Sequence, residues 1–439
     1  MADLAALRNL LRRLEEELVV CMRCGMCQAV CPVFARTGRE ADVARGKLAL
    51  LDGLLQAMIA DPEGVRDRLE RCLLCGSCAA NCPSGVNVLG IFLKARAILA
   101  GYLGLPPAKK AIFRRLLAHP RLLDRALEFA SVFQKLLARP VNEIVGTSCS
   151  RIQAPLLAGR HFRPLAAVPF HRRCPSRETP PRGAGPRVAF FTGCLIDKIF
   201  PSVAEAALRV LDHHGAGIFL PAGQGCCGIP ALSGGDLESF HRLVDLNLAL
   251  FDPARFDALV TCCATCTSTL KKLWPALSGE KHLPRARALA EKTMDISQFL
   301  VRHLGVASGA GVGGRVVTVH DPCHLRKSLG VFLEPRELIA AAGGWTLREM
   351  EAPDDCCGMG GSFNLAHYDL SKAIGRLKRE RIAATGCEVV ATGCPACMLQ
   401  ISDMLSQAGD AIAVRHPVEL YAASLPEEAG PPGSGRLLR

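Results

Sequence analysis

The chain has 439 residues, 49% of them apolar and 21% charged, with a net charge of +12. That length exceeds one ordinary core and the composition excludes a disordered chain, so roughly two to four domains are expected. Cysteine is the outlier, with 22 residues. The opening "MADLAALRNLLRRLEEELVV" reads as an amphipathic helix rather than a signal peptide, and no run of about 18 to 20 apolar residues predicts a membrane span. In the reducing cytoplasm this implies, the cysteines read as metal ligands and not as a disulfide scaffold.

Residues 1–92 hold two cysteine runs. "CMRCGMCQAVCP" carries Cys21, Cys24, Cys27 and Cys31, and "CLLCGSCAANCP" carries Cys72, Cys75, Cys78 and Cys82, each run ending in Cys-Pro. This is the two-cluster spacing C-x2-C-x2-C-x3-C-P, in which three cysteines of one run bind a cluster and the fourth reaches across to the other. The pattern assigns Cys21, Cys24, Cys27 and Cys82 to one [4Fe–4S] cluster and Cys72, Cys75, Cys78 and Cys31 to a second. A pair of zinc knuckles is the alternative. The 40 residues between the runs exceed what a compact β-rich ferredoxin needs, and they predict an α-helical ferredoxin module.

Residues 93–187 begin as helix, in "AIFRRLLAHPRLLDRALEFASVFQKLLARP", and decay into the Pro- and Arg-rich "HRRCPSRETPPRGAGPR", which reads as a linker. Between Lys94 and Arg187 there are 18 Lys and Arg against Asp124, Glu128, Glu143 and Glu178, an excess of 14 that accounts for the charge of the whole chain. Aromatic residues are sparse and no recognition motif accompanies the charge, so no nucleic-acid partner is expected. A solvated basic face is the plain reading. The functional one is an amphipathic surface that docks an acidic partner subunit or anionic lipid headgroups.

Residues 188 to 425 form an internal repeat. Cys194, Cys226 and Cys263 recur as Cys323, Cys356 and Cys394, at offsets of 129, 130 and 131 residues. Such near-constant spacing predicts duplicated domains, at 188–308 and 315–425. Each copy runs through a β-rich stretch ("RVAFF", "RVVTVH"), a cysteine, a helix, a glycine-rich loop with a Cys pair, a long helix and a second β-rich stretch ("ALVTCC", "EVVATGC"). A small α/β sheet per copy follows, with cysteines in the loops at strand ends. Pro201 and Pro395 are expected to open helices and Gly215 to end one. "GAGVGG", 309–314, precedes a predicted strand where a dinucleotide fingerprint follows one, so it reads as the linker between copies, and any flavin belongs on another chain.

Each copy gathers five cysteines. The first has Cys194, Cys226, Cys227, Cys263 and Cys266; the second has Cys323, Cys356, Cys357, Cys394 and Cys397. This pattern resembles the cysteine-rich CCG domains of the heterodisulfide reductase family and of the iron–sulfur subunits of glycolate oxidase, D-lactate dehydrogenase and anaerobic glycerol-3-phosphate dehydrogenase. With the ferredoxin module first, the chain is most similar to the glycolate oxidase iron–sulfur subunit and its D-lactate relatives. The likeness covers nearly the whole chain and is weakest over 93–187. It implies an α+β protein with an N-terminal helical ferredoxin module and two small α/β CCG domains. Two [4Fe–4S] cubanes, and one or two further non-cubane [4Fe–4S] clusters held by the ten CCG cysteines, are the cofactors it implies. The implied function is electron transfer from an FAD-containing 2-hydroxy-acid dehydrogenase subunit to a quinone or other acceptor, in the cytoplasm and at the inner face of the membrane. No catalytic acid or base is assigned to this chain. A disulfide reductase acting through the CCG clusters, an electron-transfer subunit of the anaerobic glycerol-3-phosphate dehydrogenase type, and a structural zinc protein are the alternatives. Glycines in "CCGIPALSGG" and "CCGMGGS" would let backbone approach a cluster and donate amides to it.

Cys149, Cys174, Cys262 and Cys387 are left over and read as inert thiols, with Cys262 the one placed to compete as a ligand. His320, Asp321 and His324 flank Cys323 and read either as strand-end caps or as groups that hydrogen-bond a cluster sulfur. His213 and His214 read as surface or capping residues.

Overall fold

A computed structural model describes residues 4–152, 159–307 and 313–426. The described part of the first segment contains helices and turns only. Leu7, Leu11, Leu14 and Leu18, spaced by four, three and four residues, enter the core from one side of the N-terminal helical stretch. They meet Leu48, Leu51 and Leu54 of helix Ala44–Leu55 and Ile91, Ala95 and Leu99 of helix Val88–Leu103. Asp61 and Asn87 cap helices Pro62–Glu70 and Val88–Leu103 through the amides of Gly64 and Gly90, at 2.9 and 3.1 Å.

The basic segment then wraps the rest of the chain as a strap. After helix Pro120–Leu137 come β1 (Ala138–Asn142), β2 (Thr147–Ser150) and β3 (His161–Phe162), an antiparallel three-stranded sheet in the order β1-β2-β3. It packs on helix Pro395–Ala408 of the second repeat: Thr147 Oγ1 donates to Ser406 Oγ at 2.6 Å, and the His161 amide to Asp403 Oδ1 at 2.8 Å. The Pro- and Arg-rich run expected as a linker does not run free. It forms β4 (Arg177–Glu178), antiparallel on the edge of the first repeat's sheet with Arg177 opposite Leu220. Thr179 and Ile218 exchange main-chain bonds of 2.9 and 3.1 Å, satisfying an edge that would otherwise present unpaired amides.

The first repeat contributes β5 (Arg187–Phe190), β6 (Gly217–Leu220), β7 (Ala258–Thr261) and β8 (Thr293–Asp295) in the order β4-β6-β5-β7-β8. The second contributes β9 (Arg315–Val319), β10 (Trp345–Leu347), β11 (Val389–Ala391) and β12 (Ala413–Arg415) in the order β10-β9-β11-β12. Without β4 the two orders are the same and every pairing is parallel. The duplication therefore extends from cysteine spacing to topology. Pro201 and Pro395 stand at the first turns of helices Pro201–His213 and Pro395–Ala408, and Gly215 follows the first of these at a φ of 74°. Residues 309–312 of the glycine-rich run lie outside the described residues.

Each sheet places its cysteines beyond the carboxyl ends of its strands, with β6 and β7 on opposite sides of β5 and β10 and β11 on opposite sides of β9. That switch point is where open α/β sheets form a crevice. Among the described residues no single helix is long and apolar enough to cross a membrane; Val88–Leu103 and Pro107–Leu117 pass that test only together, and they are bent by 108°.

Candidate metal centres

The two N-terminal cysteine runs fold alike. Arg23 and Gly25 flank Cys24 with φ of 56° and 87°, and Leu74 and Gly76 flank Cys75 with φ of 53° and 76°. Left-handed residues on both sides of the middle cysteine tighten the loop so that three thiols converge, and its appearance at Arg23 and Leu74, where a side chain resists it, marks a conformation held by function. Short helices Met26–Ala29 and Ser77–Ala80 then carry the chain to Cys31 and Cys82.

Cys21, Cys24, Cys27 and Cys82 line one pocket, together with Cys78. Cys31 lies instead with Cys72 and Cys75; burial pushes its thiol up to about 11, and the two neighbouring sulfurs add to the effect. Main-chain amides already aim at these sulfurs, Phe34 N–H at Cys31 Sγ (3.5 Å) and Leu74 N–H at Cys72 Sγ (3.4 Å).

In the first repeat Cys194 Sγ is 3.8 Å from Cys226 Sγ. Hydrogen bonds then link Cys226 to Cys227, Cys227 to Cys266 and Cys266 to Cys263, so all five thiols are joined. The second repeat repeats the order: Cys323 to Cys356, Cys356 to Cys357, Cys357 to Cys397 and Cys397 to Cys394. The glycine of each Cys-Cys-Gly has one task. At φ of 92° and 93°, Gly228 and Gly358 turn their amides back onto Cys226 Sγ (3.5 Å) and Cys356 Sγ (3.4 Å). Two of the later glycines admit protein neighbours. A Cβ on Gly235 would lie 2.7 Å from Arg96 O, and one on Gly360 would lie 2.5 Å from Leu73 Cδ2.

These contacts bring the modules together through their cysteines. Cys75 of the second N-terminal run hydrogen-bonds Cys356, which pulls its thiol down to about 5 against the effect of burial. Val33, Leu73, Cys356 and Phe363 share one apolar cluster there. Lys327 donates to Ser77 Oγ at 2.8 Å, and His324 spans Thr265 Oγ1 (3.0 Å) and Leu74 O (3.4 Å). Cys263 of the first repeat hydrogen-bonds Cys394 of the second.

His320 is fully buried; Nδ1 donates to Pro353 O at 3.1 Å, and the ring meets the sulfurs of Cys357 and Cys397. Its Nε2 makes no hydrogen bond among the described residues, and the ring lies within 4.8 Å of those two sulfurs. Asp321 is tied to Arg326 and Arg336 at 3.0 and 2.7 Å and supports the loop. Cys262 follows strand β7 and precedes the extended Cys263, so the two side chains leave the chain on opposite sides; it is buried in the direction of Asp295, away from the ligand set. Cys149 accepts from Arg139 Nε at 3.1 Å, Cys387 lies near Ile382 O, and Cys174 lines a cavity beside Cys194.

Three cations escaped the sequence reading. Lys47 is buried with Nζ on Asp42 O, and the buried Arg96 donates to Leu69 O, Cys72 O and Ser233 O at 2.6, 2.9 and 2.9 Å. Their hydrogen bonds go to main-chain carbonyls, leaving positive charge to face the Cys31–Cys72 group. Burial pushes the Cys27 thiol up, and Arg45, which holds that loop through Arg23 O at 3.2 Å, offsets part of the effect. A lysine amid Leu48 and Leu51, and an arginine between Ala95 and Leu99, break an apolar helical face, and that break is the signal in the sequence. The donor sets fit iron–sulfur clusters: soft thiolates in tight loops, amides aimed at sulfur, buried counter-charge, and five thiols per repeat where tetrahedral zinc takes four.

Comparison with known proteins agrees with this geometry. Residues 17–86 match the 4Fe-4S dicluster domain, and residues 188–271 and 317–402 each match the cysteine-rich domain. A probable glycolate oxidase iron-sulfur subunit of Bacillus subtilis is 31% identical over 88% of this chain and 89% of its own length. A subunit of the fumarate reductase (CoM/CoB) of Methanothermobacter marburgensis is 31% identical over 89% of this chain and 68% of its own length. Lactate utilization protein A of Exiguobacterium sp. is 31% identical over 54% of this chain and 96% of its own length. The chain is an iron–sulfur electron-transfer protein, and it belongs to the glycolate oxidase and D-lactate dehydrogenase iron–sulfur subunit family.

Proposed function

We propose that this chain carries electrons for a flavin-dependent 2-hydroxy-acid dehydrogenase, accepting them from an FAD subunit that oxidises glycolate or D-lactate and passing them to a quinone or another acceptor. In this reading Cys21, Cys24, Cys27 and Cys82 hold one [4Fe–4S] cubane and Cys72, Cys75, Cys78 and Cys31 the other. The five cysteines of each repeat hold a non-cubane cluster. The clusters supply one-electron transfer. The chain's own residues hold the thiolates in place, aim the amides of Leu74, Gly228 and Gly358 at sulfur, and exclude water from Cys226, Cys227, Cys356 and Cys357.

The observation that carries this reading is the unbroken file of cysteine groups, from the pocket at Cys21 through Cys31, Cys75 and Cys356 to Cys394, Cys263 and finally Cys194. The relatives named as a glycolate oxidase iron-sulfur subunit and as lactate utilization protein A favour a 2-hydroxy-acid donor. Iron and acid-labile sulfide after anaerobic purification test the cluster count: about 16 irons per chain are expected, and about 8 would leave only the cubanes. Replacing Cys24 and Cys75 by Ser in the complex with its flavin partner is expected to abolish acceptor reduction. An undiminished rate would sink the electron-transfer role.

A disulfide reductase is the second reading, favoured by two complete five-cysteine sets and by the relative named as a fumarate reductase (CoM/CoB) subunit. Turnover of a heterodisulfide by the cluster-loaded chain with an artificial donor would support it; no turnover at full iron content would remove it.

A further inference from the structure

The file of cysteine groups ends at a cavity. About 300 Å³ in volume, at the lower end of the range typical of small-ligand sites, it opens against Cys194 and Cys226. Leu117, Leu123, Phe170 and Leu220 supply apolar walls. Its polar side carries the buried Lys198, whose ammonium pairs with Asp197 and Asp124 (2.6 Å to the latter) and lies 3.0 Å from His171 Nδ1. His171 Nε2 in turn meets Glu128 Oε1 at 3.0 Å, and Glu128 pairs with the exposed Arg172. A hydrogen-bonded line of side chains thus runs from the cavity wall to solvent.

Leu123 and Asp124 reach this cavity from the inner face of helix Pro120–Leu137, which has no fully buried residue. Its outer face presents Leu122, Phe129, Val132, Phe133 and Leu136, with Phe129, Val132 and Leu136 at 68%, 70% and 70% exposure. Leu122, Phe129, Phe133 and Leu136 recur at helical spacing, so this is a stripe and not a scatter. Arg121, Arg125, Lys135 and Arg139 stand exposed around it, in the segment that carries the chain's excess of positive charge. An acidic protein surface would satisfy the rim and leave the aromatic and aliphatic side chains without an apolar counterpart. An anionic bilayer surface satisfies both, with apolar groups below the headgroups and cations among them.

We propose that helix Pro120–Leu137 lies on an anionic lipid surface, and that the cavity behind it receives a lipid-borne quinone headgroup at Cys194 and Cys226. The inference rests on the electron-transfer reading and names its acceptor. Two electrons originating in the partner's reduced flavin arrive singly, two protons enter from solvent by way of Glu128 and His171, and the two quinone carbonyls become hydroxyls. The apolar walls suit a flat ring, and the Lys198 side is where a carbonyl oxygen finds a hydrogen-bond donor.

The test uses the cluster-loaded full chain. It is expected to co-sediment with phosphatidylcholine vesicles that contain phosphatidylglycerol, and the exposed-face pair Phe129→Glu with Val132→Glu is expected to weaken this about tenfold or more. No binding, or binding indifferent to that pair, overturns the lipid surface and assigns the face to a protein partner. After chemical reduction, reoxidation by a short-chain ubiquinone is expected to slow about tenfold or more in Leu123→Trp and in Leu117→Trp, which fill the cavity from two helices, while reoxidation by hexacyanoferrate is unchanged. Wild-type quinone rates in both variants at full iron content overturn the cavity assignment alone. Failure of the wild-type chain to be reoxidised by either oxidant overturns the electron-transfer reading itself.

Discussion

Cys263 and Cys394 occupy corresponding positions in the two repeats, 131 residues apart, and their thiols hydrogen-bond each other where the repeats meet. The Ala264 amide donates to Gly393 O at 3.0 Å beside them. A duplicated loop has become a self-complementary contact. It joins the two five-cysteine sets into one path, and the Cys75–Cys356 contact attaches that path to the ferredoxin module. Since the groups lie in single file, Cys75→Ser is expected to remove about 4 irons per chain and to slow acceptor reduction by the complex about tenfold or more. Iron analysis with steady-state rates checks this; wild-type turnover at the reduced iron content would mean that electrons enter elsewhere.

The buried His320 meets Cys357 and Cys397 and has no counterpart in the first repeat, where Phe191 stands at the matching position. Since Nδ1 already donates to Pro353 O, Nε2 donates to a cluster sulfur only when the ring carries both protons, and such a charged donor raises the reduction potential. His320→Leu is therefore expected to make the second repeat's site more reducing by on the order of 60 mV, the equivalent of about 1.4 kcal/mol for one electron. His320→Asn, which keeps a donor, should recover part of the shift. Spectroscopic redox titration of both variants at matched iron content decides, and identical potentials would leave His320 with a packing role only.

Lys47 and Arg96 place positive charge beside Cys31 and Cys72 without hydrogen-bonding a carboxylate. Lys47→Met keeps the length and removes the charge. The cubane assigned to Cys72 is expected to shift to lower potential by tens of millivolts, while the one at Cys21 changes little. Equal shifts at both, or none, would refute a local electrostatic effect.

Asp295 caps helix Ile296–His303 through Oδ1, 2.8 Å from the Ser297 amide, while Oδ2 is buried without a partner and burial pushes the carboxyl up to about 7. His416 caps Pro417–Ser424 after the corresponding strand of the second repeat, and burial pushes its ring down to about 4. The folded chain holds the Asp295 proton to higher pH than the unfolded chain does, so that contribution is complete below the ordinary carboxylate range and is lost as pH rises through about 7. His416 acts the other way: its contribution is present above the ordinary imidazole range and is lost as pH falls through about 4. Asp295→Asn can keep the cap and removes one slope. Relative to the wild-type chain it is expected to gain about 2 kcal/mol on going from pH 5 to pH 8, read by denaturant unfolding at both. Parallel stabilities at the two pH values would place the Asp295 carboxyl in its ordinary range.

What this sequence determines by itself is local or periodic. The Cys21–Cys31 and Cys72–Cys82 runs are legible because three thiolates for one cluster must come from a single tight turn, which leaves a fixed spacing in the chain. The repeat is legible because a duplicated sheet keeps its offsets, and the strand orders β6-β5-β7-β8 and β10-β9-β11-β12 agree with it. The tertiary structure alone decides which groups become neighbours. Cys75 and Cys356 are 281 residues apart, and they meet beside the close approach of Leu73 to Gly360. Arg96 reaches Ser233, and Arg177 with Glu178 completes a sheet edge that the apparent linker gave no reason to expect. Such contacts leave no spacing in the sequence, because they arise where separately folded surfaces must satisfy each other's buried charge, open edges and shape.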